Sequence, residues 1–237
     1  MKTIFIILFI GFIITGCNYG HEGSSYTLIL SDQTEDYFPI ISYNEWKSGC
    51  SLATNINSGD AIRFRAISDV GFAKPVEFSI AEVSNKFLSN TVTRRDDTAR
   101  YFKNVNEGFL SFSKSHSTKT SSIIFKVIVE ELNRLADIKS DEKVALIYSD
   151  LKENSELADF YSKSTLRKIE DSTEVMVEQF ITRYPIKNLN GITVYLNYIP
   201  KDNSDSEVFE IISKFYTTLL TSYNAKVLIN EPLNSIK

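Results

Sequence analysis

The chain has 237 residues, of which 43% are hydrophobic, 12% aromatic and 24% charged. These proportions are close to globular averages and exclude disordered, collagen-like and coiled-coil proteins, while the length allows one core or at most two small ones. A net charge of −4 argues against electrostatic capture of nucleic acid, and we expect no nucleic-acid partner. With only two His and two Cys residues, zinc fingers and multi-bridge disulfide scaffolds are excluded as well.

The first residues of the chain carry its most specific signal. Lys2 precedes an apolar run over Ile4–Ile14, which is too short for a membrane-spanning helix of about 20 residues and has the size of a secretory signal. The run ends in Ile14-Thr15-Gly16-Cys17, which resembles the lipobox of bacterial lipoproteins. That resemblance implies removal of residues 1–16 and lipidation of Cys17, so that the protein is anchored outside the cytoplasm. Asn18, in place of Asp, implies the outer membrane.

The residues after the lipobox divide into a tether and a folded domain. Residues 17–25 are polar and contain glycine, which predicts a short flexible tether, and residues 26–237 are expected to form one domain. Because Cys17 carries lipid, Cys50 has no cysteine left to pair with. We therefore expect Cys50 to be a buried free thiol.

From Tyr26 onward, the hydrophobic periodicity predicts alternating strands and helices. Expected strands are Tyr26–Ser31, Ala61–Ile67, Val76–Ala81, Val144–Tyr148, Ile192–Tyr198 and Lys226–Ile229. Expected helices are Asp97–Gly108, Ser122–Asp137, Thr165–Phe180 and one opened by a capping box of Ser204 and Glu207. The segment Tyr37–Ser48 is interpreted as a loop or short helix. This alternation predicts an α/β fold, doubly wound, with a mainly parallel sheet and helices on both faces.

Ligands of such folds bind beyond the carboxyl ends of the strands, so residues that directly follow strands are the first candidates for a site. Asp32, Thr34 and Asp36 follow the first strand, and Asp150 follows the strand Val144–Tyr148. A hydroxyl-rich segment, Ser115–Ser122, leads into a helix between them. Carboxylate and hydroxyl oxygens are ligands that suit Mg²⁺ or another hard divalent cation.

These three segments, DQTED, SHSTKTSS and YSDLKEN, together resemble the von Willebrand factor type A family. Its metal-ion-dependent adhesion site uses a D-x-S-x-S loop, a threonine from a second loop and an aspartate from a third loop often written SDG. The resemblance implies Asp32, Thr34 and Asp36 as ligands from the first loop and Asp150 from the third. The second-loop hydroxyl comes from Ser117, Thr118, Thr120 or Ser121, and Thr120 is favoured because it stands just before the helix.

The chain departs from that family at three points. Asp36 replaces a hydroxyl, Leu151 replaces the usual glycine, and no glycine-rich turn precedes Thr120. Asp and Thr after strands also commonly form helix caps or turns without any ligand. Glu153 and Asn154 are interpreted as residues at the start of the next helix. The aromatic residues near the candidate site either line a binding surface or pack in the core; they are Tyr37, Phe38, Tyr43 and Trp46.

The leading functional hypothesis is a non-enzymatic binding module: an envelope lipoprotein that holds a protein partner through a divalent cation, with an acidic side chain of the partner completing the coordination. An alternative is a metal-dependent phosphohydrolase that uses the same carboxylates. Haloacid-dehalogenase-type phosphatases also carry aspartates after a first strand, but in a D-x-D pattern, whereas Thr34 stands at the second acidic position here. A third possibility is a structural envelope component that has lost the metal site.

Overall fold

Six strands form one sheet in the order β3-β2-β1-β4-β5-β6. A computed structural model describes residues 23–32, 40–67, 74–84, 90–114 and 123–233. The strands are β1 (Ser24–Asp32), β2 (Gly59–Ile67), β3 (Val76–Ile80), β4 (Glu142–Tyr148), β5 (Ile192–Asn197) and β6 (Lys226–Ile229). All neighbouring pairs are parallel except β2 with β3, which places an antiparallel strand at one edge. The order is that of a doubly wound, Rossmann-like sheet, and the predicted α/β class is confirmed.

Helices cover both faces of this sheet. Within the described residues they are α1 (Tyr43–Gly49), α2 (Ser51–Thr54), α3 (Thr91–Phe112), α4 (Ile124–Asp137), α5 (Lys163–Asp171), α6 (Thr173–Arg183) and α7 (Asn203–Ser222). Alternate strand residues enter two separate cores, as the side-chain period of a strand requires. In β1, Leu28 and Leu30 pack with α4–α7, whereas Ile29 packs with α1–α3. Among the helices of the described ranges, none combines the length and the apolar character that crossing a bilayer requires.

Several local features differ from the prediction, and one is α3, which begins at Thr91 and not at Asp97. β1 begins at Ser24, so Ser24 and Ser25 belong to the sheet rather than to the tether, and the Ser24 amide donates to Asp141 at 2.8 Å. The helix predicted over Thr165–Phe180 is two helices, α5 and α6, because Ser172 at φ −155° leaves the helical conformation between them. The capping box expected at Ser204 and Glu207 is wrong: α7 begins earlier, and the Asp202 side chain accepts from the Asp205 amide at 2.9 Å. The short α2 had no signal in the sequence.

A buried carboxylate at the start of β2 joins several of these elements. Asp60 accepts hydrogen bonds from Ser25 Oγ at 2.5 Å, Tyr101 Oη at 2.6 Å and Cys50 Sγ at 3.1 Å. Burial raises the pKa of Asp60, and the three donors oppose that rise. Burial and the neighbouring charge of Asp60 also raise the pKa of the Cys50 thiol, which favours the unreactive protonated form. The predicted burial of Cys50 is confirmed, and within the described part of the chain its thiol is free.

Replacing Asp60 with alanine removes the acceptor shared by the buried Ser25 and Tyr101 hydroxyls. Each stranded hydroxyl costs about 1–3 kcal/mol, and relief from burying a charge offsets part of this, so the free energy of unfolding should fall by roughly 2–4 kcal/mol. Urea denaturation measures the loss. The control is Asp97→Ala, which removes a surface carboxylate paired with Arg100 on α3 and should cost less than about 1 kcal/mol. Equal losses in the two variants would contradict a special role for Asp60.

Candidate functional site

The strand order reverses between β1 and β4, and this is where the predicted aspartates lie. β1 pairs with β2 on one side and with β4 on the other, both in parallel. Asp32 is the last residue of β1, and Ser149 and Asp150 directly follow β4. Connections leave the two central strands toward opposite faces at such a point, which opens a crevice at the carboxyl edge. The structure therefore places Asp32 and Asp150 at the same carboxyl edge of the sheet, at the ends of two adjacent strands.

Both aspartates are buried and oriented by neighbouring groups. Asp32 is 2% exposed and Asp150 1% exposed. Ser149 Oγ donates to Asp32 Oδ2 at 3.2 Å, which links the ends of the two strands. The Lys152 amide donates to Asp150 Oδ1 at 3.0 Å and closes a tight turn around that carboxylate. The two carboxylates are therefore held by the backbone and by a hydroxyl instead of extending into solvent.

Leu151 has a backbone conformation that glycine would adopt more easily. Its φ is 61°, in the left-handed region, and its side chain is completely buried in the core formed with α4–α7. The left-handed conformation costs an L-residue roughly 1–2 kcal/mol. Burial of a leucine side chain contributes about 1.5–3 kcal/mol, so the packing offsets the strain. Leu151 thus has a backbone conformation that a glycine would favour.

Tyr216 on α7 adds a polar group that the sequence analysis missed. The side chain is fully buried, and its hydroxyl has no hydrogen-bond partner among the described residues. Burial raises the pKa of Tyr216 well above its ordinary value, and the nearby charges of Glu153, Asp150 and Asp32 raise it further. A buried hydroxyl that lacks a partner within the described part of the chain, and that is influenced by three carboxylate charges, is the kind of group that an ordered ligand or water satisfies.

Glu153 is also buried here, and its interpretation as a helix-start residue is wrong. No helix begins at Glu153 or Asn154; α5 starts only at Lys163. Instead, Glu153 Oε2 accepts from the Phe125 amide at 2.8 Å, in the first turn of α4, where no local side chain caps the helix. Burial raises the pKa of Glu153, and this hydrogen bond opposes the rise. A carboxylate from a distant loop thus caps α4 at the edge of the crevice.

A lysine joins the site to the start of α7. Lys152 Nζ lies 2.7 Å from Asp205 Oδ1 and 3.4 Å from Asp150 Oδ2. Asp205 also accepts from Tyr198 Oη at 2.5 Å and from the Lys201 amide at 2.9 Å. Burial acts to raise the pKa of Asp205, but the bonds from Lys152, Tyr198 and Lys201 outweigh it and lower the pKa to about 2. Asp205 is therefore a fixed anion that positions the ammonium group beside Asp150.

The described residues contain only part of the predicted ligand set. Thr34, Asp36 and Thr120 lie outside them, as does Cys17. Among the residues that are described, no group of three or more His, Cys, Asp or Glu side chains is arranged to hold a metal ion. The oxygens of Asp32, Asp150 and Ser149 are hard donors that fit a cation such as Mg²⁺, which keeps several waters and needs few protein ligands. Any complete site would therefore draw on loop residues beyond these three.

An open groove lies beside the crevice, on the face of the sheet that carries α1–α3. Its cavity has a volume of about 610 Å³, and its lining is mostly apolar and aromatic. Tyr148, Tyr195 and Tyr198 contribute to the lining, as does Ile199, which is 70% exposed. Trp46, in contrast, is buried in the core, where its Nε1 donates to Thr27 Oγ1 at 3.2 Å. The groove is therefore lined by strand and loop residues, and Trp46 takes the core position, one of the two alternatives considered for it.

Glu153→Ala should destabilise the protein by about 2–3 kcal/mol, because the buried Phe125 amide loses its acceptor. Glu153→Gln keeps an acceptor oxygen and is the matched control, with a smaller loss expected. Chemical denaturation measures both variants. If Glu153→Ala unfolds at the same urea concentration as wild type, Glu153 does not cap α4.

The difference in stability between wild type and Glu153→Gln should depend on pH. The pKa of Glu153 is higher in the folded state than its ordinary value of 4.5, so its contribution is fully present below the unfolded-state pKa. That contribution is lost as the pH rises through the folded-state pKa. The stability of wild type relative to Glu153→Gln should therefore decrease from acidic toward neutral pH.

Compared with protein-family models and with curated protein sequences, the chain matches none.

Proposed function

We propose that this chain is a lipid-anchored protein of a bacterial cell envelope that binds a protein partner through a divalent cation at the crevice between β1 and β4. The observation that carries the proposal is the joint burial of Asp32 and Asp150 at the switch point of the sheet, with the Tyr216 hydroxyl beside them. Buried carboxylates at one strand edge, near a buried hydroxyl without a hydrogen-bond partner among the described residues, favour a bound polar ligand over simple turn formation.

Each residue has a specific role in this proposal. Asp32 and Asp150 supply carboxylate oxygens, directly or through water, and Ser149 holds Asp32 in position by its hydrogen bond. Thr34, Asp36 and Thr120 are proposed to complete the protein's share of the ligands from the flanking loops. A bound Mg²⁺ would supply a positive charge with an open coordination position. An acidic side chain of the partner would fill that position.

The groove beside the crevice supports a protein partner rather than a small ligand alone. A single carboxylate–cation contact is directional but small, so stable association needs additional buried area. Ile199, which is 70% exposed, gives this groove an accessible apolar side chain, whereas the tyrosines that line it are largely buried. The partner proposed here therefore presents an acidic residue with apolar side chains nearby.

The resemblance to the von Willebrand factor type A family supports the same proposal. The D-x-T sequence begins at Asp32, the last residue of the central strand β1, and Asp150 follows the adjacent central strand β4. The positive φ of Leu151 occurs where the family carries the glycine of its SDG loop. On the basis of these correspondences, membership of the chain in this family is part of the proposal.

The proposed anchor depends on the N-terminal sequence alone. The apolar run Ile4–Ile14 followed by Thr15-Gly16-Cys17 supports removal of residues 1–16 and acylation of Cys17. Two or three acyl chains on one cysteine give stable attachment, at about 0.8 kcal/mol for each buried methylene. Asn18 supports the outer membrane as the location.

The alternative enzymatic function gains support from one observation. Lys152 Nζ lies at the same edge of the sheet as the two aspartates, where an ammonium group can bind phosphoryl oxygens. A phosphatase assay on the full chain with p-nitrophenyl phosphate separates the two functions. Turnover that is lost in Asp32→Asn would replace the binding proposal with a phosphohydrolase, whereas no turnover in wild type leaves the binding proposal in place.

Millimolar Mg²⁺ or Mn²⁺ should raise the melting temperature of the full chain by about 3–5 °C, because a ligand that binds only the folded state stabilises it. Asp32→Ala and Asp150→Ala should each abolish this increase. Asp97→Ala, which lies on α3, is the control and should keep it. Differential scanning fluorimetry with and without chelator measures the effect. Identical melting in Mg²⁺, Mn²⁺ and chelator would contradict the cation mechanism, and metal-independent partner binding would then favour a structural envelope component.

Cys17→Ser should leave an uncleaved or soluble protein that no longer fractionates with membranes. The reason is that the serine hydroxyl cannot form the thioether that carries the lipid. Metabolic labelling with a fatty acid, followed by membrane fractionation, measures both effects. Cys50→Ser is the matched control, since it removes the other cysteine and should retain the label. Label retained in Cys17→Ser would contradict lipidation at this position.

A further inference from the structure

Lys152 combines two contacts that give it a role at the proposed cation position. Its ammonium nitrogen lies 3.4 Å from Asp150 Oδ2, while its own backbone amide donates to Asp150 Oδ1 at 3.0 Å. Both oxygens of this carboxylate therefore face groups of the same residue. The side chain of Lys152 is only 14% exposed, so the ammonium is held in the crevice and does not move freely in solvent.

We propose that the Lys152 ammonium is an internal competitor for the divalent cation, lying against Asp150 in the cation-free protein and giving up that contact when a cation binds. This inference rests on the proposed function. It follows from charge: an ammonium and a divalent cation at the same carboxylate repel each other, so both cannot keep their full contact with Asp150.

Asp205 makes the exchange possible without leaving the lysine unpaired. Its Oδ1 is the closer partner of Lys152 Nζ, at 2.7 Å, and its Oδ2 is held by Tyr198 and by the Lys201 amide. Lys152 can therefore lose its contact with Asp150 and retain an ion pair on a fixed anion. Lys152 thus contacts both Asp150 and Asp205 when no cation is bound, and it keeps Asp205 when a cation is bound.

A buried tyrosine hydroxyl lies near these acidic side chains. The Tyr216 hydroxyl is fully buried beside Asp32, Asp150 and Glu153 and has no hydrogen-bond partner within the described residues. Lys152 neutralises part of the negative charge of these carboxylates when no cation is present. A consequence is that the wild-type site binds cations more weakly than its carboxylates alone would.

The test is Mn²⁺ binding to the purified full chain, measured by isothermal titration calorimetry in wild type, Lys152→Met and Lys152→Arg. Lys152→Met should bind Mn²⁺ about ten times more tightly than wild type, as expected when one partly buried ion pair no longer has to be broken. Lys152→Arg keeps the positive charge and should bind like wild type. Lys187→Met is the charge-matched control, because it removes a lysine paired with Asp137, on a different part of the chain.

Each outcome decides the question. Tighter binding by Lys152→Met alone supports the inference. Binding by Lys152→Met when wild type shows none overturns both the inference and the proposed function, because Lys152 would then exclude the cation instead of giving up its contact with Asp150. Equal or weaker binding by Lys152→Met, with clear binding by wild type, overturns the inference and leaves the proposed function intact. No Mn²⁺ binding by any of the proteins overturns both. If Lys152→Met does not fold, Lys152→Gln is also neutral, retains a hydrogen-bonding amide and carries the same comparison.

Discussion

The parallel pairing of β1 with β4 is the constraint on which the rest of the structure depends. Seven consecutive residue pairs, from Ser25 with Glu142 to Ser31 with Tyr148, fix the register of the two strands. Because the register is fixed, Asp32 and Ser149 come within hydrogen-bonding distance where the strands end. The same two strands separate the two cores, since their alternate side chains pack against different helices. A shift of the register by one residue would turn the side chains of β1 toward the opposite faces of the sheet. It would also separate the two aspartates.

Burying several carboxylates near one another requires compensation, and the crevice supplies it from different elements. Glu153 receives an amide from the first turn of α4, and Asp150 receives an amide from its own turn. Lys152 supplies a positive charge that it shares with Asp205. Glu153 is thus compensated by an element distant in sequence, whereas Asp150 is compensated by Lys152 of its own turn. These hydrogen bonds fix the orientation of the carboxylates that accept them.

The sequence predicted the features of this molecule that local patterns encode. Apolar runs bounded by polar residues located the six strands, and the positions directly after β1 and β4 located Asp32 and Asp150. Glu153 and Tyr216 were missed for a physical reason: their contacts join α4 or α7 to the β4 end across long stretches of chain, and no spacing connects them. Lys152, two residues after Asp150, was visible in the sequence, but only the location of Asp205 gives it a second partner. The break at Ser172 was hidden because apolar residues recur at helical spacing on both sides of it.

The conformation of Leu151 has a consequence for how the site responds to events elsewhere in the molecule. A glycine at this position would hold its left-handed shape by its own preference, whereas a leucine holds it only while its side chain stays packed. The side chain is anchored in the core beneath α4–α7, and the neighbouring residue is Asp150. The direction in which that carboxylate points is therefore set from inside the protein. Loosening of this core by heat or by a distant cavity would therefore change the orientation of Asp150, although no residue at the carboxyl edge is itself replaced.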